Sequence, residues 1–182
     1  MTLYITMNNK INYSPTHTLI VGEQTYQIIK KIGNGSSSIV YMGRSTFDNK
    51  IVAIKMINRT KLSIQSLQML ENELSIMRQL INIRHENIIG CYEVIDFDDD
   101  VFIVMEYCEN GNLDELIGNR LEMNQIKKYI LQIVNGLIYL KDNKIIHNDI
   151  KPSNILITNN FNQLKICDFG LSNQNDTHYA IH

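Results

Sequence analysis

The sequence predicts an α+β protein in which a five-stranded antiparallel sheet carrying one helix is followed by an α-rich region. Short β-rich runs separated by turn residues dominate the chain as far as Tyr107. One amphipathic segment, between Ser63 and Leu80, interrupts these runs. Beyond Gly111 the apolar residues recur at three- and four-residue steps, which is typical of helices. With 182 residues, of which 44% are hydrophobic, the chain is long enough to bury a core.

Five segments are predicted to be the strands of the sheet, because they are rich in β-branched and aromatic residues and end at turn residues. These segments are residues 26–32, 39–42, 51–57, 88–95 and 101–107. Residues 1–24 mix polar residues with isolated apolar ones, so we expect an extension with little regular structure. The acidic turn 96–100 is expected to be a solvated hairpin tip rather than a metal site.

The α-rich region is predicted to contain a short helix at 113–117 and a long one from about 124 to 142 with a broad apolar face. Two short β runs follow, at 155–157 and 164–166. The segment His147–Asn154 therefore lies on a loop just before the first of them.

Charge and composition exclude several classes of partner. Seventeen basic and nineteen acidic residues give a net charge of −2, so bulk charge recruits neither nucleic acid nor membrane. No stretch approaches the ~18 apolar residues of a membrane span. Three widely spaced cysteines match no disulfide or zinc pattern and are expected to be reduced. We therefore expect a cytoplasmic protein.

The residues that carry chemistry are concentrated in His147–Asn154 and the nearby Asp168-Phe169-Gly170. Asp149 supplies a base, and Lys151 supplies a cation. Asn154 and Asp168 supply oxygen ligands of the kind that Mg²⁺ prefers. A phosphoryl-transfer site needs these groups.

This order of motifs resembles eukaryotic-type protein kinases over about residues 26–172. A glycine-rich hairpin, a Val-Ala-Ile-Lys strand, a helix carrying a glutamate, the His-x-Asp loop and Asp-Phe-Gly follow one another as they do in that family. Because Lys151 is followed by Pro152, the pattern is that of the serine/threonine class, which acts on serine or threonine hydroxyls of proteins. The resemblance implies ATP and Mg²⁺ as cofactors.

The resemblance also implies roles for individual residues. The glycine-rich loop over the ATP phosphates would comprise Ile32, Gly33, Asn34, Gly35, Ser36, Ser37 and Ser38, with Ser38 in place of a third glycine. Lys55 would reach the α- and β-phosphates, held by Glu73. The adenine pocket and ribose site would comprise Val40, Ala53, Met105, Glu106, Cys108, Asn112 and Leu156.

In the catalytic loop, the resemblance implies that Asp149 orients the substrate hydroxyl and accepts its proton, and that Lys151 binds the γ-phosphate. It also implies that Asn154 and Asp168 are ligands of Mg²⁺. His147 is expected to pack on Phe169 rather than to act as a base.

Two departures from the family affect these expectations. Asn148 stands where most members carry an arginine that pairs with a phosphorylated activation loop, so control by phosphorylation is expected to differ. The sequence also stops at His182, before the helices that complete the family's second lobe. The expected organisation is an extension at 1–24, an N-lobe at 25–107 and a partial C-lobe at 108–182.

Several functions stay open at this point. An exposed C-lobe face would favour self-association or a covering partner. The chain is expected to be a truncated serine/threonine kinase, with a nucleotide-binding regulatory module as the alternative. Small-molecule kinases of related fold fit the motifs less well, because of Lys151-Pro152 and Asp-Phe-Gly.

Overall fold

The computed structural model describes residues 2–5, 11–14, 18–21, 24–35, 37–118 and 121–174. The chain forms two compact units. The first unit comprises Met1–Leu67 and Cys91–Tyr107, and the second comprises Gln68–Gly90 and Cys108–His182.

The first unit contains an eight-stranded sheet. Its strands in chain order are β1 (Thr2–Ile5), β2 (Ile11–Ser14), β3 (Thr18–Val21), β4 (Gln24–Asn34), β5 (Ser38–Ser45), β6 (Ile51–Asn58), β7 (Cys91–Phe97) and β8 (Asp100–Glu106). The strands β4-β5-β6-β8-β7 are neighbours in that order and all pair antiparallel. The predicted five-stranded antiparallel sheet is therefore confirmed.

The N-terminal residues differ from the expectation of little regular structure. Strand β3 pairs antiparallel with β4, β1 pairs parallel with β3, and β2 pairs antiparallel with β1. The free edge of β4 offers unpaired backbone groups, which readily accept further strands. Short, isolated apolar runs gave no sequence signal strong enough to predict these three additions.

The fourth predicted strand begins later than expected. Residues 88–95 were expected to be a strand, but β7 starts at Cys91. Ile88 instead forms an isolated parallel bridge with Ile166, and the Ile89 N–H donates to the Ile166 carbonyl at 2.9 Å. These two apolar residues therefore belong to the second unit.

The two faces of the central sheet carry different residues, since side chains alternate along a strand. One face of β6 and β8 contributes Val52, Ile54, Phe102 and Val104, which form a buried cluster with Tyr26. Each of these side chains is at most 5% exposed. This cluster thus lies on one face of the sheet, while Ile57, Val101 and Ile103 are buried on the other.

The acidic hairpin tip between β7 and β8 is a turn, as expected. Asp98 and Asp99 are exposed, and Asp98 has φ +48°, which an aspartate tolerates. Its neighbours pair with the end of β6: Asn58 donates to the Asp100 carboxylate at 2.7 Å, and Arg59 forms an ion pair with Asp96. Among the described residues, no cluster of three or more His, Cys, Asp or Glu side chains could hold a metal.

The second unit is built around helices. They are α1 (Ile64–Ile81), which begins in the first unit, α2 (Leu113–Ile117) and α3 (Met123–Asp142). The short strands β10 (Ile155–Thr158) and β11 (Gln163–Ile166) pair antiparallel, as do β9 (Ile145–Ile146) and β12 (Asn173–Gln174). The predicted helices are confirmed to within one or two residues.

Helix α1 begins where Ser63 satisfies an N-terminal amide. The Ser63 hydroxyl accepts from the Ser66 N–H at 3.2 Å, which stabilises the first turn. The apolar residues Leu67, Leu70, Leu74, Met77 and Leu80 were predicted to form one buried face. The helix buries all of them except Leu67, which is half-buried. Glu73 lies on the same side and is only 7% exposed.

Helix α3 approaches the β10–β11 hairpin closely at Gly136. A Cβ there would lie 2.8 Å from Cδ1 of Ile166 and 3.0 Å from the carbonyl oxygen of Asn87. The buried Asn87 connects the same elements, because its side-chain amide donates to Gln132 on α3 and to the Leu164 carbonyl on β11. A stacked pair, His85 and Tyr139, adds a contact with ring centroids 4.4 Å apart.

The remainder of α3 exposes apolar side chains, as expected from its broad apolar face. Those more than two-fifths exposed are Met123, Ile130, Leu131, Val134 and Ile138. Even so, no helix among the described residues is both long and apolar enough to cross a membrane.

Candidate active site

The His147–Asn154 loop lies between β9 and β10 in the second unit, and it ends in one turn of 3-10 helix at Pro152–Asn154. Pro152 suits the first turn, because its missing N–H would be unpaired there. The Cys167 N–H donates to the Asn154 carbonyl at 3.0 Å. The end of the loop is therefore fixed beside the residue that precedes Asp168.

Three of the predicted residues form one polar network. The Lys151 ammonium lies 2.8 Å from Oδ2 of Asp149. The Asn154 side-chain amide donates to that same oxygen and to the Asp149 backbone carbonyl, both at 2.9 Å. Both amide hydrogens are thereby used, so Asn154 presents its Oδ1 as an acceptor.

This network shifts two ionisation equilibria. The hydrogen bond from Lys151 holds the pKa of Asp149 below its ordinary value, and the Asn154 amide acts in the same direction. The carboxylate in turn raises the pKa of Lys151. At neutral pH the site therefore has an ionised carboxylate beside a charged ammonium.

His147 packs rather than pointing outward as a base. It is 3% exposed, and its ring centroid lies 5.0 Å from that of Phe169, so the predicted contact is present. Nε2 lies 2.9 Å from the Cys167 carbonyl, and Nδ1 accepts from the Asp149 N–H at 3.3 Å. These partners match the neutral imidazole with its proton on Nε2. Burial accordingly lowers the pKa of His147.

Asp168, next to Phe169 in the chain, has an unusual backbone conformation. Its φ is +64°, in the left-handed region that L-residues rarely adopt. A Cβ at Gly170 would lie 3.4 Å from Oδ1 of Asp168 and 3.8 Å from Oε2 of Glu73. The two carboxylates therefore approach the same point in the second unit.

The predicted phosphate loop is the hairpin between β4 and β5 in the first unit. Gly33 and Asn34 pair with Val40 and Ile39, and the Gly35 N–H donates to the Ser38 carbonyl at 2.8 Å. Ser36 lies outside the described residues. Ile32 is 41% exposed on β4. Ser37 connects the hairpin to β6, because its carbonyl accepts from the Asn58 N–H.

Four further predicted residues share the face of the sheet opposite the buried cluster. Val40 pairs with Lys55, and Ala53 pairs with Met105, while Ala53 and Lys55 are two residues apart on β6. Directly paired residues lie on one face, so strand register alone brings these four together. Glu106 ends β8 opposite Val52.

The remaining predicted residues lie in the second unit. Asn112 and Leu156 form an isolated antiparallel bridge, so they are direct neighbours. Asn112 also caps α2, because its Oδ1 accepts from the Glu115 N–H at 3.0 Å and its Nδ2 donates to the Glu115 carboxylate at 2.8 Å. This capping role was not predicted. Cys108 is half-buried.

Sequence reasoning also missed the supports of the β10–β11 turn. Glu109 accepts from the Thr158 hydroxyl at 2.6 Å and from the Asn159 N–H at 2.8 Å. These hydrogen bonds hold the pKa of Glu109 below its ordinary value, against the opposing effect of desolvation. Glu109 and its partners are 49 and 50 residues apart, so no local pattern could indicate the contacts.

Comparison with known proteins agrees with this geometry. A family model described as a protein kinase domain matches residues 26–181, which is most of the chain. The chain belongs to the protein kinase family. Members of this family use ATP and Mg²⁺ and act on protein substrates.

The curated relatives are protein kinases by name, and some of these names specify serine/threonine kinases. The chain is 38% identical to the serine/threonine-protein kinase cds1 of Schizosaccharomyces pombe over 81% of its own length and 33% of the relative. It is 35% identical to the carbon catabolite-derepressing protein kinase of Secale cereale, over 86% of the chain and 32% of the relative. The chain thus spans about a third of the length of the curated relatives it matches.

Proposed function

We propose that this protein kinase chain is a serine/threonine kinase, transferring the γ-phosphate of ATP to serine or threonine hydroxyls of proteins. The observation that carries the proposal is the network of Asp149, Lys151 and Asn154 beside Asp168. The network combines a base with a cation and a side-chain amide at 2.8 and 2.9 Å from it, and Asp168 follows Cys167, which is hydrogen-bonded to Asn154. Positioning and electrostatic stabilisation account for most phosphoryl-transfer catalysis.

The donor set fits Mg²⁺. Asp168 offers a carboxylate, and Asn154 offers Oδ1, because its amide hydrogens are committed to Asp149. Hard oxygen donors are what Mg²⁺ selects, usually as one or two carboxylates together with substrate phosphates. When bound, the metal would neutralise charge on the phosphates, held by Asp168 and Asn154.

The roles of the other two residues follow from their ionisation. Asp149 is ionised at neutral pH, so it accepts a hydrogen bond from the substrate hydroxyl and then its proton. Lys151, positively charged beside it, stabilises negative charge on the transferred phosphoryl group. Because its side chain is half exposed, Lys151 can turn from Asp149 to the phosphate.

The first unit is proposed to bind the nucleotide. The β4–β5 hairpin would cover the phosphates through its backbone amides, for which Gly33 and Gly35 permit close approach. Lys55 would bind the α- and β-phosphates. Val40, Ala53 and Met105, which share one sheet face, would contact adenine.

The choice of serine and threonine hydroxyls rests on Lys151-Pro152 and on relatives whose names describe serine/threonine kinases.

A direct test incubates the purified chain with γ-labelled ATP, Mg²⁺ and a generic protein rich in serine and threonine. Phosphate incorporation that disappears with Asp149→Ala is expected. Equal incorporation by wild type and variant would contradict the proposal.

One observation favours a second function, that of a nucleotide-binding module that regulates another protein. The exposed apolar side chains of α3 resemble an association surface more than a solvated helix face. A thermal shift with ATP and Mg²⁺, without Asp149-dependent transfer, would favour this function. Light scattering on the same sample would detect self-association.

A further inference from the structure

Asn148 stands where most of the family carries an arginine, and its backbone conformation and side-chain hydrogen bond indicate what it does. It lies directly between His147 and Asp149, with φ +63°. Apart from glycine, asparagine and aspartate are the residues that adopt this left-handed conformation most readily. The residue is exposed, so core packing does not explain its presence.

The side chain of Asn148 reaches the segment that follows Asp168-Phe169-Gly170. Its Nδ2 donates to the Leu171 carbonyl at 3.0 Å, over 23 residues of sequence. Both residues belong to the second unit. An uncharged amide thus connects the catalytic loop directly to the residue after Gly170.

Two further contacts reinforce this connection. The buried Ser172 hydroxyl donates to the His147 carbonyl at 2.9 Å, and the Ser172 N–H donates to the Phe169 carbonyl at 3.0 Å. Beyond it, β12 pairs with β9. Asn148 therefore belongs to a set of contacts that connect the residues after Gly170 to the catalytic loop and β9.

We propose that Asn148 is a positioning residue that holds the backbone after Gly170 against the catalytic loop through its side-chain amide, and so keeps Asp168 in place. This inference rests on the proposed kinase function. The contact uses a neutral donor and a backbone carbonyl, so it forms without a phosphorylated residue.

Two variants separate the amide from the backbone conformation. Asn148→Asp keeps the shape and the tolerance of positive φ, but it replaces the donor with an oxygen that repels the Leu171 carbonyl. Asn148→Gly removes the donor while leaving φ unstrained. Asn160→Asp is the matched control, because Asn160 has φ +51° in the β10–β11 turn, away from the catalytic loop.

The first measurement is hydrogen exchange of the segment 169–174 in the full chain. Both Asn148 variants are expected to exchange about fivefold faster than wild type, the effect of losing one hydrogen bond. The Asn160 control should match wild type. Unchanged exchange in both Asn148 variants would overturn the inference.

The second measurement is steady-state phosphate transfer. Both Asn148 variants should lose about fivefold in kcat while the KM for ATP changes less than twofold, because the residue acts on positioning rather than on nucleotide contacts. A rise in KM with unchanged kcat would overturn the positioning role. If wild type transfers no phosphate, the proposed function fails. The hydrogen-exchange result then decides the inference by itself: faster exchange in the Asn148 variants supports the contact, and unchanged exchange overturns it.

Discussion

The catalytic loop and the glycine-rich hairpin are built by different means. In the loop, side chains make the structure: Lys151 and Asn154 bind the Asp149 carboxylate, and His147 packs on Phe169. In the hairpin, strand register and the backbone contact between Gly35 and Ser38 set the geometry. Substitutions in the loop should therefore lower the rate of phosphate transfer, because they remove reacting groups. Substitutions in the hairpin should change only how closely the backbone approaches a ligand.

The largest effect is expected for Asp149→Asn. The amide keeps an oxygen for Lys151 and Asn154 but cannot accept a proton, so kcat should fall by about 10²- to 10⁴-fold. Transfer from labelled ATP measures it. Asp142→Asn, an exposed aspartate at the end of α3, is the control and should match wild type. A loss below tenfold at Asp149 would contradict its role as base.

Lys151→Met should follow, with kcat lower by about 10²-fold through loss of charge stabilisation. The pKa of Asp149 should rise at the same time, because its main hydrogen-bond donor is gone. Carboxyl ¹³C NMR titration of wild type and variant would measure that shift. Lys144→Met, an exposed lysine just beyond α3, is the control. An unchanged Asp149 pKa would show that the ion pair does not persist in solution.

His147 should make the second unit sensitive to acid. Burial lowers the pKa of His147 below its ordinary 6.5, so the unfolded state binds its proton more readily. This difference in pKa between the folded and unfolded states adds to the free energy of unfolding above pH 6.5. The contribution is lost as the pH falls toward the folded-state pKa. Urea unfolding between pH 7.5 and 5.5 measures the slope. In His147→Tyr the slope should be shallower, and an equal slope would exclude the histidine as its source.

The smallest effect is expected in the hairpin. A Cβ at Gly35 would lie 2.8 Å from the Ser38 hydroxyl oxygen, the end of a short side chain that can rotate away. Gly35→Ala should therefore weaken ATP binding by only about two- to fivefold, comparable to a single strained contact. Ser38→Gly in the same chain should restore it, as isothermal calorimetry can measure. A larger loss that Ser38→Gly does not restore would indicate that Gly35 needs its full backbone freedom.

The sequence by itself determined the order of elements and the identity of the chemical groups. Periodicity indicated the central strands and the three helices, because local hydrophobic spacing is read without tertiary information. The spacing of Asp149, Lys151 and Asn154 placed all three on one loop, so their proximity followed directly. Membership of the protein kinase family was likewise contained in the motifs.

Only the tertiary structure decided the contacts between residues distant in the chain. Asn148 reaches Leu171, and Glu109 holds the turn after β10, through hydrogen bonds whose donors and acceptors have no fixed spacing in sequence. The three N-terminal strands depend in the same way on the free edge of β4. A polar side chain can cap, pair or face solvent, and which of these it does is decided by the backbone groups that the fold brings within about 3 Å of it.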